Sequence, residues 1–457
     1  MESGTKAGDH PSEGSGERSA FVAASSRDAE QAERLVEEAL LAGAEEAEVY
    51  LKSSSTTSIV SRGSFATLAG GSERGVALRV FDGKGSIGHA FASWSSADVG
   101  TRLISQALAS LRASSSPPSV SRLPAPRPAS PFPEIREVLE AAVLERSPEE
   151  KRAAIEKAMT GADPDAVGRL GVSYRDGVSR VVIANSRGLG ASFVRTLAML
   201  TLTLSDEGYP TLHAEAAACG LKPDEIRESV EKLLHLAGSH PEREIHPGFL
   251  LLESSSAAPL VRWIERELVA DSDPVAGRGR FRRIASEAVE VLDDPLLPGG
   301  LASAPFDGEG YPASPRRLVK SGIPIARLDG DKTERGASGH SVRVSYRDVP
   351  APGGSNLFIV PGRRSGEEIL QGVEEGLLLA GLESDSRGSD REREACWRGI
   401  GWRIRGGRLE PGCGRFLFRA TPRLLLERIL EASANVRFSL HGTTALGSPD
   451  LLIRLAD

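Results

Sequence analysis

A glycine-rich, acidic stretch at residues 299–311 constrains the fold of this chain more than any other segment. It reads Gly-Gly-Leu-Ala-Ser-Ala-Pro-Phe-Asp-Gly-Glu-Gly-Tyr, with four glycines and two acids in thirteen residues. Glycines at this density indicate backbone turns with positive φ or the close approach of another segment. The acids Asp307 and Glu309 predict a loop that either caps its own turns or presents carboxylates to a site. The fold must therefore accommodate an ordered loop two thirds of the way along the chain.

Length and composition indicate a multidomain globular protein. A chain of 457 residues is too long for one hydrophobic core, so two or three domains are expected. Apolar residues make up 40% and charged residues 26%, which fits an ordinary soluble protein. The net charge is −7, with acidic and basic residues interspersed. This pattern argues against a nucleic-acid or anionic-membrane surface, because either requires clustered lysine and arginine.

The sequence also predicts a cytoplasmic location. The three cysteines, Cys219, Cys396 and Cys413, are far apart, and their odd number favours free thiols in a reducing compartment. No apolar run reaches the length of a membrane span. Residues 1–21 lack the apolar core of a signal peptide and are rich in glycine, serine and charge, which predicts a disordered tail.

Residues 22–244 are predicted to form an N-terminal α/β domain with an antiparallel sheet. Its first half is predicted to have helices and strands at 26–42, 46–52, 56–61, 76–81, 86–92 and 98–111. A linker rich in proline and serine follows at 113–134. A similar order then returns at 148–159, 168–175, 178–186, 192–205 and 223–236. Ser61-Arg62-Gly63 and Ser186-Arg187-Gly188 match at an offset of 125 residues (186 minus 61), which predicts tandem halves that share one sheet or pack back to back.

Residues 246–457 are predicted to form a β-rich C-terminal domain around the glycine-rich stretch. Strands are predicted at 248–253, 288–293, 317–321, 324–328, 355–361, 399–405, 408–410 and 451–455. Helices are predicted at 257–270, 366–379 and 422–432. The sequence as a whole therefore predicts a two-domain protein of the α+β class.

The histidines do not show the spacing of a metal site. There is no His-Glu-x-x-His motif, and the closest cluster, His235, His240 and His246, has spacings of five and six residues. Two of these histidines lie in a hinge that contains prolines, where solvated side chains are the simpler interpretation. The sequence therefore predicts neither a metal nor another cofactor.

Four acids near the glycine-rich stretch are candidates for a different kind of site. Asp293, Asp294, Asp307 and Glu309 could gather into a site for a hard cation. Acids that precede glycine or proline are also typical of turn caps, and that interpretation is favoured here. His340 lies in a polar glycine loop, where it either contacts a ligand or lies at the surface.

The segment order in this region resembles one known family. Leu292-Asp293-Asp294-Pro295, then the stretch at 299–311, then an arginine-rich strand ending at Gly322, is similar to the TldD/PmbA family of bacteria and archaea. Its members are also called modulators of DNA gyrase. The most specific part is Phe-Asp-x-Glu-Gly at 306–310, and weaker similarities extend over nearly the whole chain. The resemblance implies that Phe306, Asp307, Glu309 and His340 either line a peptide cavity or stabilise the C-terminal domain.

The family has two branches, and the chain resembles the one without the zinc motif. TldD-type chains resemble zinc peptidases with a His-Glu-x-x-x-His helix after the first strand of the C-terminal domain and a late cysteine ligand. PmbA (TldE)-type chains lack these ligands. Here residues 262–267 (Arg-Trp-Ile-Glu-Arg-Glu) stand at the place of the metal helix, and His441 stands near the place of the cysteine. The resemblance therefore implies a PmbA/TldE-like protein without the family's zinc site.

The resemblance also implies a function. We expect a non-catalytic subunit of a TldD/TldE-type metallopeptidase that acts on small or unfolded peptides in the cytoplasm. The expected partner is a TldD-like zinc peptidase, and neither nucleic acid nor a membrane is expected as a partner. One alternative is a homodimeric peptide-binding protein without enzymatic activity. Another is a hydrolase whose site is built from Asp307, Glu309 and His340. The sequence leaves open the peptide substrate, the oligomeric state and the role of the N-terminal tail.

Overall fold

The structure, a computed structural model, describes most of the chain. The described residues are 25–62, 65–94, 98–114, 123, 132–158, 170–204, 212–218, 231, 235–236, 240–269, 282–328, 340–384 and 394–455. The tail predicted at 1–21 lies outside the described residues. So do most of the linker predicted at 113–134 and most of the helix predicted at 223–236.

A six-stranded antiparallel sheet forms the centre of the N-terminal part. Its strands are β1 (Glu46–Arg62), β2 (Phe65–Phe81), β3 (Ile87–Ser93), β4 (Leu170–Asn185), β5 (Gly190–Leu204) and β6 (Leu212–Ala218). They lie in the order β3-β2-β1-β4-β5-β6. The strands predicted at 46–52 and 56–61 form one strand, because the serines between them pair with β2 on one side and β4 on the other. The pairing of β1 with β4 joins the two halves of the chain in one sheet.

Helices cover one face of this sheet. They are α1 (Ser25–Leu41), α2 (Val99–Ala113), α3 (Ala141–Glu145) and α4 (Pro148–Ala158). The first two pack on Val49, Leu51 and Leu78, and the last two contact the sheet farther along, near Tyr174. Side chains alternate along a strand, so Glu48, Tyr50 and Lys52 of β1 project from the opposite face. We call this opposite face, which the C-terminal part covers, the inner face.

The C-terminal part is a β-rich unit with two main sheets. Its strands are β7 (His240–Glu244), β8 (Phe249–Leu252), β9 (Val291–Asp293), β10 (Arg316–Lys320), β11 (Ile323–Pro324), β12 (Ser341–Val342), β13 (Ala351–Pro352), β14 (Asn356–Ile359), β15 (Glu375–Ser384), β16 (Ala395–Arg405), β17 (Arg408–Leu409), β18 (Gly414–Ala420), β19 (Ile429–Ala432), β20 (Arg437–His441), β21 (Thr444–Ser448) and β22 (Leu451–Arg454). One sheet has the order β19-β22-β8-β15-β16-β18-β7, with β17 paired to β16, and the other has the order β11-β10-β9-β14-β21-β20. The short strands β12 and β13 pair with each other.

The two sheets and helix α5 (Ala258–Leu268) enclose one hydrophobic core. Leu252 of β8 and Trp397 of β16 enter it from one sheet, and Leu318 of β10 enters it from the other. Ile264 of α5 is fully buried in the same core. Burial of apolar area on this scale is the main stabilising term for such a domain. The predicted α+β class is confirmed.

Two predicted helices are each shorter in the structure and are followed by a strand. The helix predicted at 366–379 ends as α6 (Gly366–Gln371), and the chain continues as β15. Ser365 and Glu368 cap its start reciprocally, but Gly372 ends it. The helix predicted at 422–432 ends as α7 (Pro422–Glu427) before β19. Short apolar runs fit both periodicities, and pairing with neighbouring strands decides the outcome.

The N-terminal and C-terminal parts pack closely. One contact is a buried cluster that joins Tyr50 and Ile183 of the sheet, and Leu189 of the turn between β4 and β5, to Phe306 and Tyr346 of the C-terminal part. A second cluster joins the far end of the sheet to Ile400 and Cys413 (among other residues). Among the described helices, none is long and apolar enough to cross a membrane.

Candidate functional site

The glycine-rich stretch folds into a turn centred on the Asp307 carboxylate. Asp307 Oδ1 accepts hydrogen bonds from the backbone N–H groups of Glu309 (2.9 Å) and Tyr311 (3.0 Å). Its Oδ2 accepts one from the N–H of Ser341, at 3.2 Å. Gly310 has φ +89°, and a Cβ there would lie 2.3 Å from Leu189 Cδ2 on the N-terminal sheet. A glycine is therefore required at this position for both its backbone conformation and its space.

Glu309 begins a chain of alternating charges that crosses between the two parts of the protein. Its carboxylate lies 3.3 Å from Arg79 Nη1 on β2. Arg79 donates to Glu48 on β1 through two nitrogens, Nε at 3.0 Å and Nη2 at 2.6 Å. Glu48 also accepts a hydrogen bond from Nη2 of Arg343, which follows β12. All four side chains are buried. Such a buried network fixes how the two parts pack, and removing one member leaves the others unpaired.

The pKa of Glu48 in this network and the pKa of the neighbouring Asp307 are shifted in opposite directions. Burial opposes ionisation of Glu48, but Arg79 and Arg343 outweigh it and hold its pKa below the ordinary value. The pKa of Asp307 shifts in the opposite direction. Burial and the neighbouring Glu309 charge raise the pKa of Asp307 to about 7, although its three backbone donors oppose the rise. Part of the Asp307 residue keeps contact with solvent. Asp307 therefore changes charge near neutral pH, whereas Glu48 stays ionised.

Phe306 anchors the turn to the inner face of the N-terminal sheet. Its ring centroid lies 5.2 Å from that of Phe132 and 5.2 Å from that of Phe193, with an edge-on arrangement to the latter. The residue is 3% exposed. Aromatic contacts of this kind stabilise beyond simple area burial. The most specific residue of the stretch thus serves the packing between the two parts.

His340 is directed towards a different acid from the one that the hydrolase alternative requires. Its Nδ1 lies 3.0 Å from Asp293 Oδ2, an ion-pair distance without hydrogen-bond geometry. Asp293 also accepts from Ser355 through its backbone N–H (2.8 Å) and its hydroxyl (2.9 Å). The neighbouring Ser341, not His340, contacts Asp307. His340 is 2% exposed, so a substrate has no direct approach to its ring.

Among the side chains that the structure describes, the remaining candidates do not gather into a metal site. Asp294 Oδ1 accepts from the backbone N–H of Leu296 at 2.9 Å, which makes it a turn cap. His235 stacks on Trp402, and His246 is exposed. Within the described part of the chain, no group of three or more histidines, cysteines, aspartates or glutamates could hold a metal ion.

The two positions that the family resemblance links to zinc interact electrostatically. On α5, Arg262 Nη1 lies 2.5 Å from Oε2 of the buried Glu265. On β20, Ser439 Oγ lies 3.0 Å from His441 Nε2. Burial lowers the pKa of His441, and the charge of Arg262 lowers it further. Because a guanidinium cannot ligate zinc, this residue set does not fit a zinc site.

Family comparisons now identify the group to which the chain belongs. Residues 142–236 match the PmbA/TldA metallopeptidase central domain, and residues 265–456 match the PmbA/TldA metallopeptidase C-terminal domain. Together these matches span more than half of the chain. The chain belongs to the PmbA/TldD family. The resemblance in the sequence is confirmed at the level of the family.

Sequence relatives of the chain carry metalloprotease names. A metalloprotease of Methanothermobacter thermautotrophicus is 25% identical over 331 residues, which cover 65% of this chain and 66% of that protein. A metalloprotease of Archaeoglobus fulgidus is 27% identical over 49% of this chain and 48% of its own length. The chain thus spans less than two thirds of the length of these relatives.

Solved structures share the fold over nearly the whole chain. TldE from Thermococcus kodakarensis has a TM-score of 0.75 at 18% identity, covering 93% of this chain and 98% of that one. A proposed modulator of a DNA gyrase from Thermotoga maritima has a TM-score of 0.76 at 20% identity, covering 94% and 98%. At this identity the likeness establishes the PmbA/TldD fold.

Sequence reasoning missed three members of the buried charge network, Glu48, Arg79 and Arg343. A signal was present for Arg79, which is the one charged residue inside the apolar run at 76–81, whereas Glu48 alternates with apolar residues as a solvent-facing side chain does. Charged residues are almost never fully buried unless they are paired. No comparable signal marks Arg343, which lies outside a predicted strand.

Proposed function

We propose that this chain is a non-catalytic, PmbA/TldE-like subunit of a two-component metallopeptidase. The observation that supports the proposal most directly is the ion pair between Arg262 and Glu265 on α5. It lies where the resemblance places the metal helix. A zinc site needs three or four convergent ligands, and the positive charge of Arg262, which lowers the pKa of His441, would also repel the metal. The zinc and the general base would therefore come from a TldD-like partner.

The role of the chain would be to complete a peptide-binding chamber with its partner in the cytoplasm. Strands β3 and β6 lie at the two ends of the N-terminal sheet, and β20 lies at one end of a C-terminal sheet. An extended peptide can add to such a strand through main-chain hydrogen bonds. Small or unfolded peptides are the expected substrates, because a folded protein does not present a free extended segment.

Metal analysis and peptide cleavage test the proposal together. The full chain would be purified without added metal and assayed for zinc, and then for cleavage of an unfolded peptide mixture. It would be assayed alone, with a TldD-like chain from the same genome, and with that mixture plus a chelator. We expect neither zinc nor cleavage from the chain alone, and chelator-sensitive cleavage from the mixture. Stoichiometric zinc in the chain, or cleavage by the chain alone, would overturn the proposal.

Co-purification separates the heterodimer from the homodimeric alternative. A tagged copy of the chain would be isolated from its own host, and its partners would be identified by mass spectrometry. We expect a chain with the His-Glu-x-x-x-His motif. Recovery of the homodimer only, with no stimulation of a TldD-like chain, would favour the peptide-binding protein without a peptidase partner.

A further inference from the structure

Several hydrogen-bond donors project from the inner face of the N-terminal sheet at one place. Tyr50 and Lys52 of β1 are two residues apart, so both side chains lie on this face. Through β4, Lys52 is in register with Phe193 of β5. Arg195 follows two residues later and therefore lies on the same face. The positive charge of Arg195 acts to lower the pKa of both Tyr50 and Lys52.

Arg343 adds a buried donor from the C-terminal part. Its side chain is fully buried, with its guanidinium carbon 4.5 Å from the centre of the Tyr50 ring. Its Nε donates to the carbonyl of Gly308 at 2.7 Å, and its Nη2 pairs with Glu48. Its Nη1 is buried and has no hydrogen-bond partner among the residues that the structure describes. A buried donor without a partner is costly, and it commonly marks a place where a ligand or an ion completes the network.

Several positive charges act on one another around these donors. Burial raises the pKa of Tyr50, whereas Arg343 and Arg195 act against that rise. Burial lowers the pKa of Lys52, and the positive charge of Arg195 lowers it further. Lys52 Nζ donates to a neutral acceptor, the carbonyl of Val344, at 3.0 Å. The cations therefore repel one another at this place, and an anion would relieve that repulsion.

Three of the nearby carboxylates are already paired with arginines, and a fourth, the exposed Asp348, also favours the charged form of Lys52. Glu48 is shared between Arg79 and Arg343, and Glu309 pairs with Arg79. Glu73, which favours the charged form of Lys52, is itself exposed and paired with Arg347 at 3.1 Å. Arg195 Nη1 donates to the carbonyl of Leu301 at 3.0 Å, so the buried Nη1 of Arg343 is the donor at this place that most needs an acceptor.

We propose that Tyr50, Lys52, Arg195 and Arg343 form a binding site for a small oxyanion, either a carboxylate or a phosphate. A phenol, an ammonium and two guanidinium groups supply donors, and guanidinium groups match the planar geometry of such anions. Lys52 is only partly buried, so the site has access to solvent. The bound anion would bridge the N-terminal sheet and the segment that carries Arg343. This site does not depend on the proposed peptidase role.

Isothermal titration calorimetry on the full chain at constant ionic strength tests the site. The probes are sodium phosphate, an acetylated tripeptide with a free C-terminal carboxylate, and the same tripeptide with a C-terminal amide. The variants are Lys52→Gln and Tyr50→Phe, which leave the pairing of Arg343 with Glu48 intact. Lys320→Gln is the matched control, because Lys320 is an exposed lysine on β10, which is not part of the inner face.

We expect the wild-type chain and the control to bind phosphate or the free-carboxylate peptide, and the amide to bind more weakly. Lys52→Gln should weaken the binding about tenfold or more, because a charged hydrogen bond is lost. Tyr50→Phe should weaken it by a smaller factor. Binding of phosphate but not peptide identifies a phosphate site, and the opposite result identifies a carboxylate site.

Two results would overturn the proposal. One is the absence of binding for both anionic probes in the wild-type chain. The other is an unchanged affinity in both Lys52→Gln and Tyr50→Phe relative to Lys320→Gln. Each variant would first be shown to have a wild-type unfolding temperature, so that lost binding reports the site and not the fold. Because the isolated chain is used, failure of the peptidase assays leaves this test unaffected.

Discussion

Replacement of Asp307 by asparagine is expected to change how the stability of the protein depends on pH. The carboxylate of Asp307 accepts three backbone hydrogen bonds and lies near Glu309, and its pKa is raised from 3.8 to about 7. An asparagine can accept the bonds from Glu309 and Tyr311 through its oxygen. Its amide nitrogen cannot accept the bond from Ser341. The substitution thus removes a titrating charge and one hydrogen bond.

The magnitude follows from the linkage between protonation and folding. A carboxyl whose pKa is raised by folding holds its proton more tightly in the folded state. Its stabilising contribution is complete below its unfolded pKa of 3.8 and is lost as the pH rises to about 7. At 1.36 kcal/mol per pKa unit, this loss is at most about 4 kcal/mol. Solvent contact of the residue makes the loss smaller. The missing acceptor in the variant costs about 1–3 kcal/mol at every pH.

Urea unfolding followed by tryptophan fluorescence between about pH 5 and pH 8 measures the effect. The free energy of unfolding of the wild-type chain should fall more steeply with pH than that of Asp307→Asn. Relative to the wild-type chain, Asp307→Asn should therefore lose most stability at the acidic end of this pH range. Asp348→Asn is the control, because Asp348 is an exposed carboxylate that also caps a turn, accepting from Ser345 N at 2.9 Å. Parallel pH profiles for wild type and Asp307→Asn would refute the reasoning.

Three further substitutions test the packing between the two parts by the same unfolding assay. Phe306→Ala should cost about 3–5 kcal/mol, whereas Phe91→Ala, at a side chain 47% exposed, should cost less than about 1 kcal/mol. Gly310→Ala should destabilise more than Gly442→Ala, because both have positive φ but only Gly310 has a side chain within 3 Å of an added Cβ. Glu48→Gln should cost about 3–5 kcal/mol, because two buried arginines lose a charged partner. Equal effects within either matched pair, or a neutral Glu48→Gln, would contradict the assigned contacts.

Local sequence pattern predicted many of the regular elements but failed where two periodicities overlapped. The helix at 99–113 and β3 at one end of the N-terminal sheet follow from hydrophobic spacing and glycine turns, whereas β6 at the other end was not predicted. The apolar run Leu377-Leu378-Leu379 fits a helix equally well. It becomes a strand because β8 and β16 offer hydrogen-bond partners on both sides. Such pairing is a long-range property that a local window does not contain.

In the candidate site, too, local sequence predicts the turn, whereas the long-range contacts depend on the fold. Turn chemistry at Asp307 is local, since aspartate followed by glycines caps a turn wherever it occurs. The raised pKa of Asp307 depends on burial and on Glu309, and burial depends on the whole fold. The partner of Glu309 is Arg79, 230 residues earlier in the chain. Neither residue alone indicates this pairing.

The sequence by itself determined the family, the α+β class and the position of the glycine-rich turn, because these depend on residue type and local order. Only the tertiary structure decided that Phe306 anchors this turn to the N-terminal sheet and that Glu309 joins a buried network with Arg79, Glu48 and Arg343. It also decided that Arg343 meets Tyr50 on the inner face. The physical reason is that burial and charge pairing depend on distances between residues far apart in the chain. The sequence of the stretch at 299–311 indicates the family, and its contacts join the two parts of the protein.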